Sequence, residues 1–153
     1  MEMDAFAADF DSVFGWYSAR GLPAPPFDSW IASEADLIRA QTELRVRLPE
    51  KYKQFMTTYG GGGFVNLEVI PVVAPNDRTR DLIGLNSGDH EVPGFVCAVP
   101  DGTGNHWGFV TADGVCEDQV SCYSFEFGEI EPESNDFLEF MSWHGLHAGR
   151  AGY

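Results

Sequence analysis

The sequence predicts an α+β fold, in which a mainly antiparallel sheet of about five to six strands packs against N-terminal helices and a closing C-terminal helix. Apolar residues recur at helical spacing in the first 60 residues and again near position 140. Between them lie short apolar runs separated by turns that contain glycine and aspartate. Helices before and after a series of strands are typical of the α+β class.

Two helices are predicted at the start of the chain. The first has one apolar face, made of Phe6, Phe10, Val13, Phe14 and Tyr17. The proline-rich segment 21–26 then ends this helix and forms a stiff linker. Ser33 is predicted to cap the second helix, which would bury the face formed by Leu37, Ala40 and Leu44.

The third predicted helix is the best defined, because it has a start, a face and an end. Pro49 suits the first helical position, since the missing N–H of proline would be unpaired there. The apolar face consists of Tyr52, Phe55, Met56 and Tyr59. The run Gly60–Gly63 allows the chain to reverse, and we expect residues 64–70 to form one strand.

The second half of the chain is predicted to form mainly strands. A hairpin is predicted for residues 95–99 and 106–110, and a turn at Asp113-Gly114. A further strand is predicted over residues 120–127, with Tyr123, Phe125 and Phe127 on one face. A short helix is expected near residues 82–85, and a closing helix would bury Phe137, Phe140 and Met141. From Gly145 onward we expect a frayed tail.

Length and composition predict a single domain over residues 1–153, since 44% of the 153 residues are hydrophobic. The sequence has neither an apolar run long enough to span a membrane nor a signal-peptide pattern at its start, so we expect a cytoplasmic protein. Its three cysteines, Cys97, Cys116 and Cys122, form no metal-binding pattern and are expected to be buried thiols.

Net charge is the most informative bulk property. The formal charge is −15, and residues 64–153 hold fifteen acids but only three bases. Such a protein repels nucleic-acid phosphate and anionic lipid, so neither nucleic acid nor a membrane is an expected partner. The same charge attracts basic proteins, although ordinary solubility also explains net acidity.

A search for catalytic and metal-binding patterns predicts neither an enzyme nor a cofactor. The glycines at 60–63 lack the Lys-Ser/Thr of a phosphate-binding loop and suit a helix C-cap. If Asp89-His90-Glu91 is extended, its side chains point in alternating directions and cannot bind one metal ion. His144 and His147 have a spacing that could bind metal on a helix, but Gly145 indicates that the helix has ended. No serine lies in a nucleophile elbow. A hydrolase with paired carboxylates is the remaining catalytic alternative.

Four segments occur in an order that is typical of one known family. They are the helix from Ser33, residues 48–55 with Tyr59-Gly60-Gly61, the turn 101–105 and residues 134–141. The second segment resembles the LP-x-x-Y-K-x-F…NGG signature of the SUKH superfamily, although Gly60 replaces the usual Asn, and the other three match in the same order. This superfamily holds yeast cell-wall assembly regulators and many bacterial toxin-immunity proteins. The resemblance covers about residues 33–141, and residues 1–32, the N-terminal helix and proline-rich linker, lie outside it.

The resemblance implies a domain without a catalytic centre that binds a protein. We therefore expect an immunity protein that neutralises a cognate bacterial toxin, often a nuclease in similar systems, through an acidic surface. A nuclease is basic where it grips phosphate, so a basic nuclease fits such a surface. A regulatory interaction module without a toxin partner is the alternative. The sequence leaves the oligomeric state open, and the expected partner-binding residues are Asp101, Trp107, Asp113, Glu126, Glu129 and Glu131.

Overall fold

A computed structural model describes residues 1–148 of the chain. The helices are α1 (Met3–Ala19), α2 (Glu34–Leu44), α3 (Glu50–Thr58) and α4 (Phe137–Phe140), which continues as a π-helical turn over Met141–Leu146. The strands are β1 (Gly62–Phe64), β2 (Leu67–Val69), β3 (Phe95–Pro100), β4 (His106–Ala112), β5 (Val115–Cys116), β6 (Val120–Ser124) and β7 (Glu129–Ser134). Three single 3₁₀ turns lie between β2 and β3.

The strands form a five-stranded antiparallel sheet and a separate hairpin. The order in the sheet is β3-β4-β6-β7, and the short strand β5 pairs with β4. Strands β1 and β2 form the hairpin, and the N–H of Ile70 just after it donates to the carbonyl oxygen of Ala98 in β3 at 3.0 Å. The predicted α+β class with an antiparallel sheet is therefore confirmed.

An aromatic cluster joins the N-terminal helices to the hairpin. We call it the central aromatic cluster, and its members are Phe6, Phe10, Phe27, Phe55, Tyr59 and Phe64. The ring of Phe64 lies 5.2 to 6.3 Å from each of the other five. Tyr52, Phe55 and Met56 are fully buried, which confirms the predicted face of α3.

Ser33 caps its helix as predicted, whereas Pro49 does not occupy the predicted first helical position. Ser33 Oγ accepts a hydrogen bond from the N–H of Asp36 at 3.1 Å, and Asp36 Oδ2 accepts from the N–H of Ser33 at 2.9 Å. This reciprocal arrangement is the capping box that fixes a helix start. Pro49, in contrast, has an extended ψ of 143° and lies just before α3 rather than inside it.

The prediction of one strand over residues 64–70 is wrong. The chain turns at Val65 and Asn66, so that Phe64 pairs with Leu67 in a tight hairpin. Val65 has a φ of 52°, which is unusual for a β-branched residue. Its side chain nevertheless packs against the core. Because this turn residue is apolar, the sequence has the pattern of one uninterrupted strand, which explains the wrong prediction.

The predicted strand 120–127 is too long, since β6 ends at Ser124. Gly128, with a φ of 65°, donates its N–H to the carbonyl oxygen of Ser124 at 2.8 Å and closes a turn. Strand β7 then pairs back along β6. Phe125 and Phe127 consequently lie in the β6–β7 turn rather than on a sheet face.

The expectation of a frayed tail from Gly145 is wrong for residues 145–148, and residues 149–153 lie outside the described part. The π-helical turn carries Leu146 into the core, where it is fully buried. A Cβ at Gly145 would lie 3.1 Å from the Phe64 ring, so glycine allows the close approach. Asn66 Nδ2 also donates to the Gly145 carbonyl oxygen at 2.8 Å. The C-terminal turn is thereby fixed against the β1–β2 hairpin.

Candidate functional site

The turn between β3 and β4 lies beside the turn between β6 and β7. The N–H of Phe125 donates to Asn105 Oδ1 at 3.3 Å, and the rings of His106 and Phe125 are 5.2 Å apart. We call this part of the surface, residues 101–105 and 125–130, the hairpin end. It contains three of the predicted partner-binding residues, Asp101, Glu126 and Glu129.

Asp101 shapes the turn in which it lies. Its carboxylate accepts hydrogen bonds from the N–H and hydroxyl of Thr103, at 2.7 and 2.8 Å, and from the N–H of Asn105 at 3.1 Å. Aspartate often stabilises a turn by bonding backbone N–H groups two residues on. The half-buried Asp101 therefore has a structural role at the hairpin end.

Glu126, Glu129 and Glu131 are exposed. Glu129 and Glu131 occupy alternate positions of β7, which is an outer strand of the sheet, so their side chains share one face. Glu131 pairs in register with Cys122. Burial raises the pKa of the Cys122 thiol, and the carboxylates of Asp101, Glu133 and Glu131 raise it further. Asp101 of the hairpin end and Glu131 and Glu133 of β7 thus lie close enough to act on the same thiol.

Trp107 lies on the same sheet face as Glu131, because it pairs in register with Cys122, and Cys122 pairs with Glu131. The Trp107 ring is half-buried, 5.1 Å from Phe140 and 5.2 Å from His144, so it packs against the C-terminal helix. Asp113 follows the far end of β4, about 20 Å along the strand from His106 at the usual rise per residue. The structure therefore separates Asp113 from the other predicted residues, while Trp107 lies two strands from Glu131 with its ring half-buried.

Sequence reasoning missed the exposed apolar residues of the hairpin end. Phe127 is 69% exposed, Phe125 48% and Ile130 42%. A signal for this was present in the sequence, because Gly128 between two alternating runs is typical of a hairpin turn. These three residues are candidates for partner contact that the six predicted residues do not include.

The whole five-stranded sheet and its turns contain no lysine or arginine. Residues 81–148 include all of β3 to β7 and α4. The acids in this range are Asp81, Asp89, Glu91, Asp101, Asp113, Glu117, Asp118, Glu126, Glu129, Glu131, Glu133, Asp136 and Glu139. Basic residues of the described chain are confined to residues 20–80. The charge asymmetry of the sequence is therefore also an asymmetry between structural elements.

The cysteines do not have the environment of nucleophiles. Cys97 and Cys116 are buried, and burial raises the pKa of each thiol to about 12. A catalytic cysteine has the opposite shift, because the thiolate is the reactive form. Burial likewise raises the pKa of the Tyr52 hydroxyl, which lies among Phe109 and Phe137 in the core. These groups remain protonated at neutral pH.

A serine, an aspartate and a histidine do meet where α1 contacts the C-terminal turn. Ser142 Oγ donates to Asp9 Oδ2, and His147 Nε2 lies 2.7 Å from Asp9 Oδ1. A nucleophilic serine donates its hydrogen to an imidazole, with the carboxylate behind that imidazole. Here the hydroxyl donates to the carboxylate itself, so the arrangement suits a structural contact between the two helices.

The two histidines considered as metal ligands in the sequence, His144 and His147, each contact a carboxylate. His144 Nε2 lies 3.0 Å from Glu133 Oε1, while His147 contacts Asp9, so the two histidines face different carboxylates. No group of three or more metal-ligating side chains occurs in these residues. The described chain therefore offers no preformed metal centre.

A groove of about 250 Å³ lies beside β2 and is lined mainly by apolar and proline side chains. Its charged residues are Glu68, Asp77 and Arg80. Hydrogen bonds from the hydroxyl and N–H of Thr79 lower the pKa of Asp77, so this carboxylate is ionised at neutral pH. A general acid would require the opposite shift. Within residues 1–148, no helix is both long and apolar enough to cross a lipid bilayer.

Comparison with known proteins identifies the family. A search of curated proteins finds no match. The family model SUKH_6, described as SMI1-KNR4 cell-wall, matches residues 34–141, which is more than half of the chain and nearly the range of the sequence resemblance. The superfamily includes toxin-immunity proteins, and its members are generally not catalytic. The chain therefore belongs to the SUKH superfamily, with a SUKH_6 domain over residues 34–141.

Proposed function

We propose that this protein is an immunity protein, which binds a cognate bacterial toxin and neutralises it through an acidic surface. The observation that carries the proposal is the absence of lysine and arginine from residues 81–148 in a member of a family that includes immunity proteins. A basic nuclease is the class of toxin that fits this charge best.

The physical argument concerns the substrate of such a nuclease. An enzyme that grips nucleic acid needs lysine and arginine where it contacts phosphate. A protein with densely placed carboxylates can occupy that basic cleft and exclude the nucleic acid. Opposite charges also accelerate the encounter, which matters when a toxin must be captured before it acts. We expect inhibition that weakens as salt concentration rises.

The proposed charged contacts are Asp101, Glu126, Glu129 and Glu131, at the hairpin end and along β7. Asp113 would take part only with a partner that extends along β4 to its far end. Trp107 would take part only with a partner that reaches the half-buried ring beside His144. The exposed glutamates are therefore the first residues to substitute.

We also propose that residues 1–153 act as one domain in the cytoplasm. Phe6 of α1 is fully buried and its ring lies 5.7 Å from Phe55, which favours a shared core for residues 1–32 and the matched segment. The three cysteines, all of them free thiols, suit a reducing compartment.

A regulatory interaction module is the second candidate, because the matching family is described as SMI1-KNR4 cell-wall. Such a module would bind a protein that is not a toxin. The two functions differ in gene context, since an immunity gene lies beside the gene for its toxin. Reading the adjacent open reading frames in the source genome separates them.

The test is co-expression in a sensitive bacterial host of this chain with the product of the adjacent gene. We expect host growth to stop with the adjacent product alone and to recover when this chain is present. A variant with Glu126, Glu129 and Glu131 all changed to Gln should protect less, whereas Glu43→Gln on the exposed face of α2 should protect fully. Failure of the native chain to protect would contradict the proposal.

A further inference from the structure

We propose that Phe125 and Phe127 are the anchor of the partner interface, and that they enter an apolar pocket surrounded by arginine or lysine on a basic protein. This inference rests on the proposed function and specifies where that function resides. It replaces Trp107 with the two phenylalanines as the aromatic contact.

The first observation is their exposure. Phe127 and Phe125 are the two most exposed of the phenylalanines, at 69% and 48%, and the next is Phe27 at 37%. Ile130, which is 42% exposed, lies only three residues beyond Phe127. An apolar group held in water raises the free energy of the isolated protein, and burying it against a partner recovers that free energy.

The second observation is that the turn is held in place before any partner arrives. The ring of Phe125 lies 4.9 Å from Tyr123 and 5.2 Å from His106, and its N–H donates to Asn105 Oδ1. The N–H of Gly128 closes the turn on the Ser124 carbonyl oxygen. A fixed turn loses little conformational entropy on binding, which favours tight association.

The third observation is the charge around these rings. Glu126 lies between the two phenylalanines in sequence and Asp101 is in the neighbouring turn, whereas Glu129 begins β7 beside the turn on the opposite sheet face from Ile130. Apolar anchors inside a polar rim are the usual anatomy of an interface hot spot. Arginine suits the partner's side of this rim, because its guanidinium both stacks on aromatic rings and pairs with carboxylates.

The edge strand β7 argues against two other occupants. Pro132 lacks an N–H, and glutamates lie at alternate positions, so the addition of a partner strand to this edge is disfavoured. A second copy of this chain would bring the same carboxylates against each other, which costs free energy. The surface therefore fits side-chain docking by a basic protein rather than strand addition or self-association.

The experiment measures binding of the purified product of the adjacent gene, made inactive by substitution, to the full chain by calorimetry. We expect Phe127→Ala to weaken binding about 30-fold or more and Phe125→Ala to act in the same direction. Glu126→Gln should weaken binding less than Phe127→Ala and should reduce the salt dependence of the affinity. The matched control Ile38→Ala, at a 56% exposed position of α2, should leave the affinity within about twofold.

The outcomes separate the two proposals. If the native chain binds and protects but Phe127→Ala binds equally well, the interface inference is overturned and the immunity function stands. If the native chain neither binds nor protects, both are overturned. Phe127→Trp should retain affinity, and loss with it would also count against an aromatic anchor. A dimer in sedimentation that Phe127→Ala dissociates would show that the occupant is a second copy, which overturns the inference.

Discussion

The central aromatic cluster and the hairpin end are both rich in phenylalanine, but their side chains have opposite environments. Phe55 and Phe64 are at most 1% exposed and each contacts several rings, whereas Phe127 is 69% exposed on a turn. The first region brings α1, α3 and the β1–β2 hairpin together. The second lies between glutamates in a part of the chain without lysine or arginine.

The difference shows that the same residue type has two uses here. In the central cluster, aromatic rings remove apolar surface from water and stabilise the fold, and their free-energy contribution appears in unfolding. At the hairpin end, the rings remain in water until a partner covers them, so their contribution should appear in binding. Unfolding and binding measurements on matched variants therefore test this assignment.

The largest expected effect is that of Phe55→Ala. The Phe55 ring is fully buried and lies 5.2 to 5.7 Å from the rings of Phe6, Phe64, Phe137 and Tyr59. Removing it leaves a cavity at the junction of the helices, and we expect the free energy of unfolding to fall by about 3–5 kcal/mol. Urea unfolding followed by circular dichroism measures this. A loss below about 1 kcal/mol would contradict the central role of the cluster.

Gly60→Ala should be next in size. Gly60 has a φ of 80°, and a Cβ there would lie 2.5 Å from the carbonyl carbon of Trp30, so the variant adds strain and a backbone clash. We expect a loss of about 2–4 kcal/mol in unfolding free energy.

The control for this clash is Gly102→Ala in the β3–β4 turn. Gly102 has a similar φ of 84°, but nothing lies within 4 Å of the added Cβ. This variant should cost only about 1–2 kcal/mol, from conformational strain alone. Equal losses at the two positions would show that the close packing at Gly60 contributes nothing.

Asp136→Asn tests the charged contact that fixes α4 beside the central cluster. Asp136 Oδ1 accepts from the N–H of Glu139 at 2.8 Å, and Oδ2 lies 3.2 Å from Lys51 Nζ. Burial raises the pKa of Asp136, but hydrogen bonds from the Met1 amine, Glu139 and Lys51 outweigh burial and lower it below the ordinary 3.8. At pH 7 we expect a loss of about 1–3 kcal/mol in unfolding free energy.

The sign of the pH dependence follows from that lowered pKa. The ionised carboxylate stabilises the native chain fully above pH 3.8, and this stabilisation disappears as pH falls through the lower native pKa. Unfolding measured from pH 6 to pH 2 should show a smaller acid-induced loss for Asp136→Asn than for the native chain. Asp118→Asn at an exposed position should retain the native profile, and the same profile for both variants would refute the assignment.

The smallest expected effect on stability is that of Phe127→Ala. Because this side chain is largely in water, its removal should change the free energy of unfolding by no more than about 0.5 kcal/mol. Thermal unfolding of the native chain and the variant measures the difference. A loss comparable to that of Phe55→Ala would show that the turn aromatics belong to the core, and the contrast between the two regions would fail.

Local patterns were sufficient to predict much of the fold. The face of α3, the N-cap at Ser33 and the β3–β4 hairpin each depend on residues close together in sequence. The predictions at Val65 and Gly145 were wrong because both residues are determined by contacts with distant parts of the chain. Val65 is an apolar residue in a turn because the core lies beside it, and Gly145 is needed by the ring of Phe64, about eighty residues earlier.

Only part of the candidate site was predicted, again because local patterns do not show which residues meet in the fold. The sequence shows which carboxylates lie in turns, but only strand register shows that Asp101 and Glu126 share one end of the sheet while Asp113 is at the other. Phe125 and Phe127 alternate with polar residues, as in a strand that buries one face. Their exposure depends on where β6 ends, which is set by the pairing of β7 rather than by propensity.

The placement of the two lysines has a practical consequence. Lys51 and Lys53 both lie on α3, and residues 81–148 carry no side-chain amine. Amine-reactive fluorophores or coupling resins will therefore attach to α3 or to the amino group of Met1, and the strands and turns of the five-stranded sheet will keep their native chemistry. Labelled or immobilised protein can thus report on contacts at that sheet without any engineered attachment point.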